Sequence, residues 1–284
     1  MKKILSVAAM AIMAVAAVSF ISSCGKDDDG GVLRTGRYSD DAITLDMGDG
    51  EMLDLSNDGK FVHRRYEIVR SSLPAVYATG SYKKTGKGQY DLVGYASLAI
   101  TNKTATSATV VFTPEGDDES RSVEAIILEP TAVSAAAKKL CLTWTVESTD
   151  IEVSPAEGGN GVGRTFTGCD LNEIYSWLEK NEYYIDAQIP QNQKVDYIAA
   201  FPSGTLVLAF KNGNDYVANV DWSDFTGSAL NYIWEHEGAG ANILAADASF
   251  VVKGNKGILT FSGIVAGSNE NYKASVVFNM KAAK

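Results

Sequence analysis

The stretch Gln89-Tyr90-Asp91-Leu92-Val93-Gly94-Tyr95-Ala96-Ser97-Leu98-Ala99-Ile100 decides the fold class of this 284-residue chain. Its apolar residues recur at every second position, which is the period of a β-strand with one buried face. The pattern predicts one long strand over residues 89–100. The residues expected on its buried face are Tyr90, Leu92, Ala96, Leu98 and Ile100.

Similar alternation occurs on both sides of this stretch. Turn sequences such as Asn57-Asp58-Gly59 separate the alternating runs, and glycine there supplies the positive φ of a tight hairpin. Consecutive strands are therefore expected to pair antiparallel in an all-β fold. The other predicted strands cover residues 42–46, 60–69, 76–83, 108–113, 123–128, 140–146, 195–201, 205–211, 216–222, 248–253, 257–265 and 272–280.

One segment has the pattern of a helix. Asp170 is a good N-cap residue, and Glu173 follows three residues later to complete a capping-box pattern. Leu171 and Ile174 follow at helical spacing. The chain is thus predicted to be all-β with one short helix near 170–180, which plugs or flanks a sheet.

The first residues have the pattern of a lipoprotein export signal over 1–23. Two lysines precede an apolar run over residues 4–21, and Ser22-Ser23-Cys24 follows as a small-residue junction. Cys24 is then expected to begin the mature chain and to carry a diacylglycerol and an amide-linked acyl chain such as palmitate, which anchor the protein in a membrane. The alternative for residues 4–21 is a transmembrane helix of about spanning length. The abundance of alanine and the abrupt stop at Cys24 favour the signal.

The stretch behind Cys24 is charged and glycine-rich, and it predicts a flexible acidic tether over 24–32. Its residues Lys26-Asp27-Asp28-Asp29 resemble the acidic surface-export signal that follows the acylated cysteine in lipoproteins of Bacteroidetes. The resemblance implies a location in the outer membrane, with the protein facing the outside of the cell.

Charge and length limit the remainder of the chain. Removal of residues 1–23 takes away two lysines and no acids, so the formal net charge moves from -10 to -12. Such a charge argues against nucleic acid as a partner. A composition shift at 130–137 places a boundary between an N-terminal β domain, 33–130, and a C-terminal β domain, 131–284. The alternative is a short helical connection inside one domain.

Several short motifs carry a second resemblance. Gly36-Arg37-Tyr38 opens the first half and Leu140-Cys141-Leu142-Thr143-Trp144 opens the second, much as a Gly-X-Trp strand opens lipocalin-like barrels. The hairpin over 55–61 and the strand start Gly80-Ser81-Tyr82 also resemble lipocalin-like lipoproteins of Bacteroidetes. The resemblance implies two lipocalin-like barrels or sandwiches. Tyrosine replaces the expected tryptophan in the first opening, and leucine replaces the glycine in the second.

The sequence predicts no catalytic residue, metal site or cofactor. His63 and His236 are the only histidines and have no metal-ligand spacing around them, and His63 is expected on the polar face of a strand. Cys141 and Cys169 permit one disulfide in an oxidising compartment, and the sequence leaves a disulfide and two thiols equally open.

Aromatic residues give the best functional hint. Trp222, Tyr232 and Trp234 lie in or next to 223–240, which is polar enough to be a long loop. Our hypothesis is that the three rings border a ligand-binding mouth, because an exposed indole or phenol stacks on a sugar face or closes over an apolar ligand. The alternative is that they cap the core of the barrel.

The sequence therefore favours a surface-exposed, non-enzymatic lipoprotein that binds a small apolar ligand or a glycan. It names no protein partner. The alternative is a structural subunit that resembles the fimbrillin-type adhesins of Bacteroidetes, which also have an acylated cysteine, an acidic tether and two β domains. Those pilins resemble chains that are trimmed at an arginine, for which Arg34 and Arg37 are the candidates here.

Overall fold

The computed structural model describes residues 42–66, 74–130, 134–183, 194–211, 215–222, 225, 227, 229, 231–234, 247–266 and 270–283. The predicted signal peptide, Cys24, the tether, Arg34, Arg37 and His236 lie outside these residues. No helix within the described part of the chain is long and apolar enough to cross a membrane.

The first half of the chain forms a closed barrel of eight antiparallel strands, lipocalin-like in general form. Each strand pairs with the next one along the chain, and the first strand also pairs with the eighth, with Leu45 opposite Ile127. The strands are β1 (Ile43–Gly48), β2 (Glu51–Leu55), β3 (Lys60–Tyr66), β4 (Pro74–Gly86), β5 (Gln89–Leu92), β6 (Ala96–Thr101), β7 (Ser107–Pro114) and β8 (Arg121–Leu128).

The prediction of one long strand over 89–100 is wrong, because this stretch is a hairpin of β5 and β6. Gly94 has a φ of 70°, and the backbone N–H of Tyr95 donates to the carbonyl of Leu92 at 2.8 Å. Leu92 then pairs with Ala96. A turn of three residues leaves the alternation in phase on both sides, so period two alone does not reveal the break.

Apolar side chains fill the barrel interior, as is usual for an eight-stranded barrel. The register brings them together from every second residue of the strands, and burial of each large one contributes about 1.5–3 kcal/mol. Those that are at most 4% exposed include Leu45, Leu53, Leu55, Phe61, Leu92, Leu98, Val110 and Phe112.

The second half of the chain forms a nine-stranded antiparallel half-barrel sheet. Its strands are β9 (Thr143–Pro155), β10 (Val162–Thr167), β11 (Val195–Ala200), β12 (Thr205–Phe210), β13 (Tyr216–Asp221), β14 (Asn231–Trp234), β15 (Asp247–Lys253), β16 (Lys256–Ala266) and β17 (Asn271–Ala282). Their order in the sheet is β14-β13-β12-β11-β9-β17-β16-β15, with β10 paired to β9. Within the described residues, only the β-bridge between Ala229 and Ser249 links the two ends of this order.

The described residues of this second half include two helices. The short helix α1 (Ala135–Leu140) has Ser134 as its N-cap. The predicted helix is confirmed as α2 (Leu171–Lys180), whose N-cap Asp170 accepts hydrogen bonds from two backbone N–H groups of the first turn. The apolar side of α2 is buried in the core of the half-barrel.

The barrel and the half-barrel share a buried contact. Val62 on the outer wall of the barrel packs with Tyr197, Phe201 and Val207 of the half-barrel. Polar contacts cross the same boundary, since the backbone N–H of Thr143 donates to the carboxylate of Asp58. Both faces of β3 are consequently buried, one inside the barrel and one against the second sheet.

Candidate functional site

A buried polar cluster lies at one end of the barrel, near the β1–β2, β5–β6 and β7–β8 turns. We call it the barrel-end cluster; it consists of Glu51, His63, Tyr95 and Arg121. His63 is only 3% exposed, so the expectation that it lies on a polar strand face is wrong. The physical reason is that His63 is in phase with the core residue Phe61 and points into the barrel, while the outward residue Val62 is buried by the second sheet, so β3 has no solvated face at this point.

The four side chains form one continuous chain of hydrogen bonds. The Nδ1 atom of His63 is 2.5 Å from the hydroxyl oxygen of Tyr95. Its Nε2 atom is 2.6 Å from Oε1 of Glu51. Arg121 donates from Nη1 to Oε2 of Glu51 at 2.7 Å and from Nη2 to Oε1. Glu51 is thus held by an imidazole on one side and by a two-pronged guanidinium on the other.

The electrostatics of the cluster keep Glu51 ionised. Burial raises the pKa of its carboxyl, but hydrogen bonds from His63 and Arg121, together with the positive charge of Arg121, outweigh burial and lower the pKa to about 2. An ionised carboxylate only accepts hydrogen bonds, so Nε2 of His63 must carry a proton. In a neutral imidazole, Nδ1 is then the acceptor for the hydroxyl proton of Tyr95.

Aromatic rings surround the cluster and fix its geometry. The ring of Tyr95 stacks on Phe61 at a centroid distance of 5.7 Å and meets Phe112 edge-on at 5.8 Å. The guanidinium of Arg121 lies over the Phe112 ring at 5.3 Å. The Arg121 side chain is 46% exposed while that of Glu51 is 9% exposed, so the cluster reaches from the barrel interior to solvent.

A second feature is a groove on the outer face of the half-barrel. Its volume is about 580 Å³, and it crosses β10, β9, β17, β16 and β15. Five lining residues stand side by side across these strands, namely Gly163, Glu152, Ser275, Ser262 and Asp247.

Glycines help to keep this outer groove open. A Cβ atom added at Gly161 would lie 2.9 Å from the Cβ of Ser154, closer than side-chain carbons pack. Lys273 and Ile264 also line the groove. Its lining therefore combines serine hydroxyls, two carboxylates and one amine with the apolar residues Val153, Val162, Ile264 and Ala274.

Of the three rings of the predicted aromatic mouth, only the side chain of Trp222 belongs to the described part of the chain. Trp222 is fully buried and its Nε1–H donates to the carbonyl of Phe201 at 2.9 Å, so it packs in the core, as the alternative interpretation expected. Tyr232 and Trp234 lie on β14, opposite Val220 and Ala218, within the segment that was expected to be a loop. Their side chains lie outside the described part, so their role stays a prediction.

Cys141 and Cys169 are both buried thiols in the structure. Burial raises the pKa of the Cys169 thiol to about 12, which makes it unreactive as a thiolate near neutral pH. Among the described residues, no group of three or more His, Cys, Asp or Glu side chains is placed to hold a metal ion.

Sequence reasoning missed the barrel-end cluster because its members are distant in the chain. One signal was present: Glu51 is in phase with the apolar residues Leu53 and Leu55, and His63 is in phase with Phe61. A polar residue on the core parity of a strand must find a buried partner.

Comparisons of this chain with protein-family models, with curated proteins and with solved structures found no match.

Proposed function

We propose that this chain is a non-enzymatic, lipid-anchored lipoprotein of the outer-membrane surface that binds a glycan in the outer groove of its half-barrel. The proposed anchor is acylated Cys24, followed by the acidic tether. The observation that carries the proposal is the groove of about 580 Å³ that crosses five strands and is lined by hydroxyl and carboxylate side chains together with apolar ones.

The mixture of polar and apolar side chains in the groove favours a glycan over a purely apolar ligand. Sugar hydroxyls pair with carboxylates such as Glu152 and Asp247 and with serine hydroxyls such as Ser262 and Ser275. Ile264, which is 49% exposed at the groove, offers an apolar contact for a sugar ring. The barrel interior, by contrast, is filled with apolar side chains. Binding of a small apolar ligand inside the barrel therefore has less support.

Closure of the barrel argues against the fimbrillin-like alternative. Strand β1 pairs with both β2 and β8, so exchange of this strand with another copy would require the barrel to open. Such a pilin would form polymers whose mature chains begin after Arg34 or Arg37. Mass spectrometry of the N-terminus from cells, with sizing of the extracted protein, separates that result from a monomer that begins at acylated Cys24.

Glycan binding is tested with the mature chain on a glycan array and then by calorimetry. Ser275→Trp places a large ring in the groove, while Val277→Trp puts the same ring on the same face of β17, outside the groove lining. We expect Ser275→Trp to weaken binding at least about tenfold, equivalent to about 1.4 kcal/mol, and Val277→Trp to leave it unchanged. A wild-type chain that binds no glycan, or equal affinity in all three proteins, would overturn the proposal.

A further inference from the structure

The barrel-end cluster has the order hydroxyl, imidazole, carboxylate. Tyr95 faces Nδ1 of His63, and Nε2 of His63 faces Glu51. The same order of groups activates a weak nucleophile wherever a base removes its proton and a carboxylate orients the base. Glycan binding in the outer groove does not use these residues, so the inference below stands independently of the proposed function.

We propose that Tyr95 is a reactive phenol that accepts an acyl group from an activated ester, with His63 as its general base. The ionised Glu51 holds the His63 tautomer in which Nδ1 is the acceptor. Arg121, in turn, pairs with both oxygens of Glu51 and keeps that carboxylate in place. Glu51 and Arg121 are therefore positioning residues.

The geometry around Tyr95 supports this role. The residue sits in the tight β5–β6 turn, and its carbonyl accepts the backbone N–H of Glu115 at 2.8 Å, which ties it to the neighbouring β7–β8 turn. Its side chain is half-buried, and the exposed Arg121 side chain reaches solvent beside the same cluster. The phenol is thus fixed against its base by rings and backbone at the end of the barrel.

Transfer of the acyl group to Tyr95 requires no oxidant or reductant. The phenolic oxygen of Tyr95 attacks the ester carbonyl carbon while its proton moves to Nδ1 of His63. The bond between the carbonyl carbon and the leaving-group oxygen breaks, and the leaving group departs with the electron pair. His63 then gives up the proton to the leaving group or to water, and the acyl group remains on Tyr95 as an aryl ester.

A second tyrosine of the same barrel provides an internal control. Tyr82 is also half-buried, but its hydroxyl donates to the backbone carbonyl of Ser56 at 2.5 Å. A carbonyl oxygen orients a phenol without removing its proton. The two phenols therefore differ in the group that accepts the hydrogen bond, an imidazole nitrogen for Tyr95 and a carbonyl oxygen for Tyr82.

The experiment treats the intact mature chain with p-nitrophenyl acetate and maps acetylated peptides by mass spectrometry over time. Because general-base assistance is worth about 10² or more in rate, we expect acetylation of Tyr95 on the order of 100-fold faster than that of Tyr82. Equal rates at the two tyrosines, or faster labelling of Tyr82, would overturn the proposal.

Variants then separate chemistry from structure. His63→Ala should reduce Tyr95 acetylation to the rate of Tyr82, because the base that removes the phenolic proton is then missing. Glu51→Gln should slow the reaction while it preserves the shape of the side chain. If His63→Ala does not fold, as judged by circular dichroism, the acetylation rates of Tyr95 and Tyr82 in the wild-type protein test the proposal by themselves.

Discussion

The barrel and the half-barrel differ in how they hold particular polar side chains. The barrel holds Glu51 and His63 inside and satisfies them with each other, with Arg121 and with Tyr95. In the half-barrel, the polar side chains that line the outer groove lie on the outer face of the sheet, while in its core the hydroxyl of Tyr175 is buried without a hydrogen-bond partner among the described residues. A buried polar group is costly unless paired, so polar substitutions should have different effects in the two units.

The largest expected effect is in the core of the half-barrel. Trp222→Ala removes a fully buried ring and its hydrogen bond to Phe201, and it should lower the free energy of unfolding by about 3–5 kcal/mol. Chemical denaturation measures the loss. A loss below about 1 kcal/mol would place the ring outside the core and revive the hypothesis of a mouth.

The next largest effect is expected when the negative charge of Glu51 inside the barrel is removed. The pKa of Glu51 is about 2 in the folded chain, below its ordinary value of 4.5, so its ionised form contributes stability above pH 4.5 that is lost as the pH falls towards 2. Glu51→Gln should therefore cost on the order of 3 kcal/mol at pH 7.

Denaturation of both proteins across the acid range tests this account of Glu51. The difference between wild type and Glu51→Gln should shrink steadily below pH 4.5. A difference that stays constant down to the lowest pH at which both proteins fold would contradict ionic pairing of Glu51.

Removal of one tyrosine hydroxyl from each unit, Tyr95→Phe in the barrel and Tyr175→Phe in the half-barrel, gives a matched comparison of the two. Tyr95→Phe breaks the hydrogen bond to His63 and leaves a buried imidazole nitrogen without its hydroxyl partner, so it should cost about 1–3 kcal/mol. Thermal or chemical unfolding measures the effect, and retention of the wild-type circular dichroism spectrum shows that the fold is kept.

The smallest effect is expected from Tyr175→Phe in helix α2. Its hydroxyl makes no hydrogen bond to the described residues, and burial raises the pKa of this phenol. Loss of the hydroxyl should change the free energy of unfolding by less than about 0.5 kcal/mol or increase it. An equal cost for Tyr95→Phe and Tyr175→Phe would remove the difference between the two units.

Periodicity predicted the antiparallel all-β class because alternation reports directly on a strand with one buried face. The helix at residues 171–180 was predictable from its cap and its apolar spacing. The hairpin within 89–100 was not, because its three-residue turn keeps Leu92 and Ala96 in phase.

The barrel-end cluster escaped sequence reasoning for a different reason. Its bonds join Glu51 to His63 and Arg121, and His63 to Tyr95, and barrel closure rather than local sequence brings these residues together. Trp222 shows another limit of sequence reasoning. An aromatic residue before a polar segment has the same sequence pattern whether it caps a core or borders a binding site.

The measurement that tests the functional account most directly is nuclear magnetic resonance of the isotope-labelled mature chain during titration with the glycan selected on the array. The account predicts that backbone signals of Glu152, Ser262, Lys273 and Ser275, which line the outer groove, shift together and saturate at one affinity. Shifts confined to Tyr95 and Arg121 at the barrel end, or no shifts at saturating glycan, would contradict it.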